Sequence, residues 1–506
     1  MKQILSCIFQ TSRVQFLAIQ VRPVSSSKVN GNASESQLHR LSSNMSEALI
    51  NQPQLGQLND GAAAATLLQV EHPKSILSTY TWVELLRGLA VLKLCSNETF
   101  VKMASKLHNK TTSVIGSALT TRFLEAAFFR HFVAGDSFYQ LSRIVERYRA
   151  FNVYPMIMPP MEDLSEELSP KMRELSQQNI TKYLEFVEIS RRLARLYNQP
   201  TVIQFKLSCV VPTPSMNALA SELSGKDEDN LLAGARSIAK YIETGQKDTS
   251  QLIPDRNLND ALLLGIDACK IIFEQCIKDN IPLLIDAELK ASHLAMYAVY
   301  LGFANRYCRE KPCLYVTYQC YMKHIPDLLK QCINVSKQMH QTFGAKLVRG
   351  AYMEQEQEIA ASLGEPNPIW PTKEATTEAY DRCVAYVLEQ VRSKPTQFNV
   401  FVATHNQGSV VAAKKKLSDL SLQHNIPESL LKRSVHFAQV YGMADILSTQ
   451  LSSDGYTVFK SIPHGAASEW IPYLARRASE NYSAFHSTRC EIPCYKAEVR
   501  RRLMQY

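Results

Sequence analysis

The sequence predicts an α/β fold: a closed, TIM-like (β/α)8 barrel with a helical arm on its N-terminal side. Three observations predict it. Short apolar, β-branched runs alternate with long amphipathic runs through residues 151–490. There are eight such short runs, the number that closes a parallel sheet on itself. Nearly every one ends on a polar or charged residue, as barrel strands do where their C-terminal ends line a site.

A chain of 506 residues with 45% hydrophobic content can bury a large core, as one large domain with appendages or as two domains. Residues 1–34 contain no acid. Lys2, Arg13, Arg22 and Lys28 are spread among apolar residues ahead of a Ser-rich patch, the composition of a mitochondrial transit peptide. Residues 35–74, polar and ending near an Ala run, are expected to be a flexible linker. Residues 75–150 are expected to form the arm. Trp82, Leu85, Leu86, Leu89 and Leu92 recur at helical spacing, followed by Phe123, Phe128, Phe132 and Leu141, and Gly135 marks a helix end.

The predicted strands are Asn152–Met158, Val202–Ser208, Leu283–Glu288, Leu314–Cys320, Ala345–Gly350, Val400–His405, Ser434–Val440 and Thr457–Ser461. Helical patterns fill the gaps, including Lys171–Asn198, Ala261–Lys278, Ala291–Tyr307, Asp327–Thr342 and Thr372–Arg392. The polar stretch Gly225–Asp260 is expected as an insertion after the second strand. A short helix, Trp470–Asn481, follows the eighth strand, with Trp470, Leu474 and Ala478 on one side and the neighbours Arg476 and Arg477 near its middle. Residues 491–506 are expected as a C-terminal tail.

Composition excludes several functions. The net charge of +9 is scattered among acids, so no nucleic-acid groove is indicated. Twelve cysteines include no CxxC pair, and Cys490 with Cys494 lacks the partners of a zinc site; no metal site is expected. The usage fits a reduced, intracellular protein. The longest apolar stretch, Ser113–Gly135, is broken by Arg122, Glu125 and Arg130, too soon for a membrane span. There is no GxGxxG after a strand, no phosphate-gripping GxxxxGK[ST] loop, no HExxH and no GxSxG.

The strand ends carry the chemistry. They present Lys206; Asp286 and Glu288; Gln319 and Tyr321; Lys346, Arg349 and Tyr352; Thr404, His405 and Asn406; Gln439; and Lys460 with Ser461. Polar groups in strands buried on both faces are costly without partners, so this ring marks a site for a polar anion. Alternatives stand beside it. Arg476 and Arg477 form either a solvated pair, Arg476 matched to Glu480, or a two-armed anion clamp. His405 by itself fits a core histidine, and Lys346 a Schiff-base lysine.

Lys346–Tyr352 (KLVRGAY), Ala403–Asn406 (ATHN), Tyr441–Met443 (YGM) and Tyr473–Asn481 (YLARRASEN) together resemble the FAD-dependent proline dehydrogenases. Ile285–Glu288, Tyr318–Tyr321 and Phe132–Asp136 fit the same pattern and keep its order. The resemblance implies a distorted barrel with FAD across the strand ends. It implies catalytic roles for Lys346, Arg476 and Arg477, and substrate contacts from Lys206, Tyr352, Ser461, Glu480 and the two arginines. Flavin contacts would come from Asp286, Gln319, Lys346, Arg349, Gly350, Thr404 and His405. Lys346 would then act electrostatically near the flavin's reactive nitrogen. The implied reaction is hydride transfer from an imino acid ring to flavin N5, giving the corresponding Δ1-pyrroline-5-carboxylate. Electrons would pass to a quinone, with peripheral contact at the mitochondrial inner membrane.

Two departures bear on the substrate and the first strand. Ser461, within Lys460-Ser461-Ile462-Pro463, stands where proline-specific members carry Tyr and resembles the hydroxyproline dehydrogenase branch. A hydroxyl there leaves room for a ring substituent, so trans-4-hydroxy-L-proline is the expected better substrate and L-proline a slower one. Ile157 stands where an Asp is common, so either the register of the first strand is off or Glu162 or Asp163 supplies that acid. A Schiff-base lyase using Lys346 and a catalytically silent flavin- or amino-acid-binding protein remain the competing functions.

Overall fold

The computed structural model describes residues 75–95, 129–164, 170–225, 228–246, 251–466, 469–470 and 491–505. The arm contributes α1 (Trp82–Cys95) and α2 (Phe138–Arg149). Then follow β1 (Val153–Met158), α3 (Pro170–Tyr197) and β2 (Val202–Lys206). Three helices lead to β3 (Leu283–Asp286): α4 (Thr213–Leu223), α5 (Glu228–Thr244) and α6 (Arg256–Lys278). Next come α7 (His293–Tyr307), β4 (Leu314–Gln319), α8 (Ile325–Gln338) and β5 (Phe343–Val348). Helices α9 (Met353–Ser362) and α10 (Lys373–Ser393) precede β6 (Phe398–Ala403). Helices α11 (Gln407–His424) and α12 (Glu428–Lys432) precede β7 (Val435–Val440). The order ends with α13 (Asp445–Ser453), β8 (Thr457–Pro463) and α14 (Ile492–Leu503).

The eight strands close into a barrel in sequence order, all parallel, with β8 returning to β1 over six registered pairs. Side chains alternate in and out along each strand. Met156, Val202, Leu284, Tyr315, Phe401, Ala438 and Phe459 form one inner apolar layer. That layer makes the barrel a packed core and leaves only its C-terminal mouth for chemistry. The predicted strands are all present, but β5 and β6 start two residues earlier than the pattern indicated. Gly344 hides the start of β5, since a Cβ there would sit 2.5 Å from the Leu314 carbonyl oxygen. The backbone must be bare at that point, and a bare residue carries no strand signal.

Four helix starts are capped by side chains. Asp255, Thr372 and Asn406 each accept from the backbone N–H three residues on, at 3.0, 3.1 and 3.0 Å. Ser137 and Gln140 form a reciprocal capping box at α2. Gly135, just before it, has φ +84°, and the Gln140 side chain occupies the space a Cβ would need.

The Gly225–Asp260 stretch lies in the β2–β3 connection, as expected, but it is not a polar appendage. Helix α5 buries Leu231, Leu232, Ala235, Ile238, Tyr241 and Ile242. Its Ile238 packs so tightly on α7 that a Cβ at Gly302 would lie 2.6 Å from it. The polar face of an amphipathic helix masked the buried one. Likewise residues 491–506 are more than a tail. Helix α14 buries Tyr495 against Gly88 of α1, where a Cβ would lie 2.6 Å from the ring. In α1 itself Leu85 and Leu92 are buried, while Leu86 faces solvent.

The arm is tied to the barrel by a buried charge. Lys460 Nζ lies 2.8 Å from Asp445 Oδ1, with both side chains closed to solvent. Asp445 also accepts from Tyr148 at 2.7 Å and Tyr80 at 2.5 Å, both from the arm. Lys460 was expected at the barrel mouth with Gln439. Both point outward instead, because Phe459 and Ala438 beside them face in. Gln439 accepts from Ser448 on α13 at 2.8 Å.

Candidate active site

Above the inner apolar layer, Gln204, Asp286, Lys346 and Ser461 turn inward from β2, β3, β5 and β8. Lys346 Nζ donates to Asp286 Oδ1 at 2.7 Å and to Gln204 Oε1 at 3.3 Å. Gln204 Nε2 donates to Ser461 Oγ at 2.6 Å. Lys346 is 9% exposed and is held within the mouth by one carboxylate and one amide oxygen. An amine engaged by a carboxylate and an amide oxygen reads as a charge-holding group of the mouth rather than a carbonyl nucleophile.

A second cationic centre lies beside it. Lys206 ends β2 and donates to Asp163 Oδ2 at 2.6 Å, with Glu288 Oε2 3.4 Å away. Ser208 Oγ bridges the two acids, 2.6 Å from Asp163 and 2.7 Å from Glu288. Burial pulls the Lys206 ammonium down, but Glu288 and Asp163 outweigh it and raise it overall. Burial raises Glu288 despite the lysine beside it. Of the two acids that could replace the one absent at Ile157, Asp163 reaches this centre. Glu162 meets the fold through its backbone oxygen, which accepts from Asn179 at 3.0 Å. Tyr352, at the start of α9, adds to the field on Lys206.

Other predicted residues form the rim. Gln319 is almost fully buried and acts as a strut: its amide donates to the Glu288 carbonyl at 2.7 Å and accepts from Ala351 N at 3.1 Å. That strut fixes the β5–α9 turn. Gly350 in the turn has φ +149°, and the Tyr321 ring fills the space a side chain would take. Arg349 and Thr404 meet one another, at 2.8 Å, and not the Lys346 cluster. Arg349 also reaches Ser409 at 2.9 Å and stacks over Tyr380 at 4.6 Å. His405 Nε2 accepts from Val440 N at 2.9 Å, which places its proton on Nδ1. Burial, then the charges of Lys460 and Arg349, push this imidazole down to about 3.

Arg476, Arg477 and Glu480 lie outside the described residues, as does most of the predicted Trp470–Asn481 helix. Its first residue, Trp470, is buried against Phe129, Val133 and Met158. Two residues that matter were not singled out from the sequence, Gln204 and Ser208. Gln204 carried a signal: it is polar and two positions before Lys206, hence on the same inward face.

Residues 162–489 match the family model described as Proline dehydrogenase, well over half of the chain. The chain belongs to the proline dehydrogenase family. This family member is thus an oxidoreductase. It is 30% identical to hydroxyproline dehydrogenase of Bos taurus, over 83% of this chain and 90% of that one. It is 29% identical to hydroxyproline dehydrogenase of Xenopus laevis, over 83% and 87% of the two chains. Identity with proline dehydrogenase 1, mitochondrial, of Homo sapiens is 26%, over 84% and 88%. Among solved structures, proline utilization A from Bdellovibrio bacteriovorus inactivated by N-propargylglycine aligns with a TM-score of 0.56 and 16% identity, over 88% of this chain. The chain spans 41% of that longer protein, and the likeness shows a shared barrel fold.

Proposed function

We propose that this proline dehydrogenase family member oxidises trans-4-hydroxy-L-proline, and L-proline more slowly, to the corresponding Δ1-pyrroline-5-carboxylate with FAD at the barrel mouth. The observation that carries this reading is the inward cluster of Lys346, Asp286, Gln204 and Ser461 at the C-terminal end of a closed barrel. The cluster suits a flavin on its own chemistry. Lys346 has three hydrogens and, among the described residues, two acceptors, so one N–H is left for a group seated in the mouth. Lys346, Asp286, Gln319, Arg349, Gly350, Thr404 and His405 are the proposed flavin-binding set.

When bound, the flavin would supply the hydride acceptor. The protein's part is orientation and electrostatics. Lys206, with Arg476 and Arg477, would take the substrate carboxylate; Asp163 and Glu288 hold the Lys206 ammonium in place for it. Tyr352 and Glu480 would flank the ring, and Ser461 would face its substituent. Fixed positive charge at Lys346 favours negative charge accumulating beside it.

Residues 1–34 are proposed as a mitochondrial transit peptide and 35–74 as a linker, in keeping with the mitochondrial label on the Homo sapiens, Dictyostelium discoideum and Arabidopsis thaliana relatives. A membrane quinone is the proposed electron acceptor. No described helix is long and apolar enough to cross a membrane, so contact with the inner membrane would be peripheral. The test is anaerobic. Purified protein should be yellow and should bleach faster with trans-4-hydroxy-L-proline than with L-proline. A yellow protein that neither imino acid bleaches, or a colourless one, would sink the proposal.

A further inference from the structure

Gln204 faces the barrel interior from β2 and is 4% exposed. Both ends of its amide are held. Lys346 Nζ sits 3.3 Å from one end, and Ser461 Oγ sits 2.6 Å from the other. An ammonium has donors only, so the end that faces Lys346 must be the carbonyl oxygen. The end that faces Ser461 is then the NH2 group, which has no lone pair to offer. Ser461 Oγ must accept. Its single hydroxyl hydrogen is not spent on Gln204 and is left to point elsewhere. The residues stand far apart in sequence, on β2, β5 and β8, so only barrel closure brings them together.

The direction of this chain matters. Asp286 fixes Lys346 at 2.7 Å. The ammonium polarises the Gln204 amide, and the polarised amide is a stronger donor to Ser461. A serine that accepts a strong hydrogen bond is in turn a better donor. An untethered serine could rotate and present either a lone pair or a hydrogen to whatever lies opposite. This one has given one lone pair to Gln204, so its hydrogen is left free to donate, beside one remaining lone pair.

We propose that Gln204 is a specificity-determining positioning residue. It keeps the Ser461 hydrogen turned away from Gln204 and free to donate to a ring oxygen of the substrate, so that the relay Asp286–Lys346–Gln204–Ser461 selects a hydroxylated imino acid over an unsubstituted one. The proposal rests on the function given above and names the group that sets its substrate preference. The ring substituent this arrangement favours is one that accepts a hydrogen bond. A methylene cannot, an ether or hydroxyl oxygen can, and an organic fluorine does so weakly.

The experiment compares proline, trans-4-hydroxy-L-proline and trans-4-fluoro-L-proline on the wild type, Gln204→Glu and Gln204→Leu. Glu keeps the shape of Gln but offers Ser461 only acceptors, so the serine hydrogen turns back toward position 204. In both variants the hydroxyproline-to-proline ratio of kcat/KM should fall about five- to ten-fold, the worth of one neutral hydrogen bond. The fluoro compound should fall between the other two on the wild type. Calorimetric binding of the two imino acids to dithionite-reduced protein should show the same loss of preference with no turnover. In a Ser461→Ala background neither Gln204 substitution should move the ratio further, which a merely structural role for Gln204 would not predict.

Equal slowing of both substrates, or effects that simply add in the Ser461→Ala background, would overturn the relay and leave the proposed reaction standing. A wild type that oxidises neither imino acid would remove both. Should Gln204→Leu fail to fold, Gln204→Glu, identical in size, decides alone.

Discussion

Asp445 and Lys460 form an ion pair 2.8 Å long in which neither side chain sees solvent. It joins α13 to β8, and through Tyr80 and Tyr148 it holds the N-terminal arm to the barrel. Glu491, at the start of α14, donates no charge cheaply to this cluster: burial, then Asp445, push it up to about 7. Removing one partner of a buried pair strands the other. Lys460→Met is therefore expected to destabilise the protein by about 3–5 kcal/mol. A denaturant midpoint within experimental error of wild type would contradict this.

Gly350→Ala should fail for a different reason. The residue combines φ +149° with a Tyr321 ring where the new methyl would lie. Backbone strain of about 1–3 kcal/mol adds to overpacking of similar size. A clear fall in melting temperature is expected, together with weaker flavin retention, because the turn belongs to the proposed flavin-binding set. Unchanged melting would show that the turn relaxes freely.

Lys206→Met should act on binding. A charge-assisted bond to the substrate carboxylate is worth about 1.5–3 kcal/mol, which is roughly ten- to a hundred-fold in KM. Flavin content should be unchanged, since Lys206 belongs to the substrate side of the mouth. A KM equal to wild type would place the carboxylate elsewhere.

Ser461→Tyr tests the pocket's width. A phenol in place of a hydroxyl fills the space left for a ring substituent. The hydroxyproline-to-proline ratio of kcat/KM should drop by about ten-fold or more, the scale of a lost hydrogen bond plus a steric clash. If the ratio stays put, this residue does not read the ring.

Stability should fall on mild acidification. Burial holds His293 down at about 3 and His131 down at about 4, so both stay neutral in the folded protein. The unfolded chain takes up those protons below its ordinary histidine value of about 6.5. Between pH 6.5 and about 4 the unfolded state therefore binds more protons, and stability rises with pH by up to about 1.4 kcal/mol per unit for each histidine. His293→Gln should flatten that slope when denaturant unfolding is followed from pH 7 to 5. An identical slope would show that His293 is protonated in the fold.

Much of the barrel was legible because its signals are local. A run such as Leu283–Asp286 between polar turns announces a strand, and the alternation with α6 and α7 announces parallel order. The individual residues of the mouth were legible too: Lys206, Asp286, Lys346 and Ser461 are polar residues at strand ends. What misled was facing. Lys460 and Gln439 looked like members of the same ring, yet a shift of one residue along a strand reverses the side on which a group emerges. Helix α5 misled for the matching reason, since composition averages over a helix whose two faces differ.

The sequence by itself determined the barrel, its helical arm, the family and the chemical types gathered at the mouth, because these depend on periodicity and on motifs a few residues long. Only the tertiary structure decided which groups meet. Gln204 touches Ser461 across 257 residues because β8 closes onto β1 and β1 lies beside β2. A hydrogen bond acts over about 3 Å of space and is indifferent to distance along the chain, so partners on strands far apart in sequence are fixed by closure and register alone.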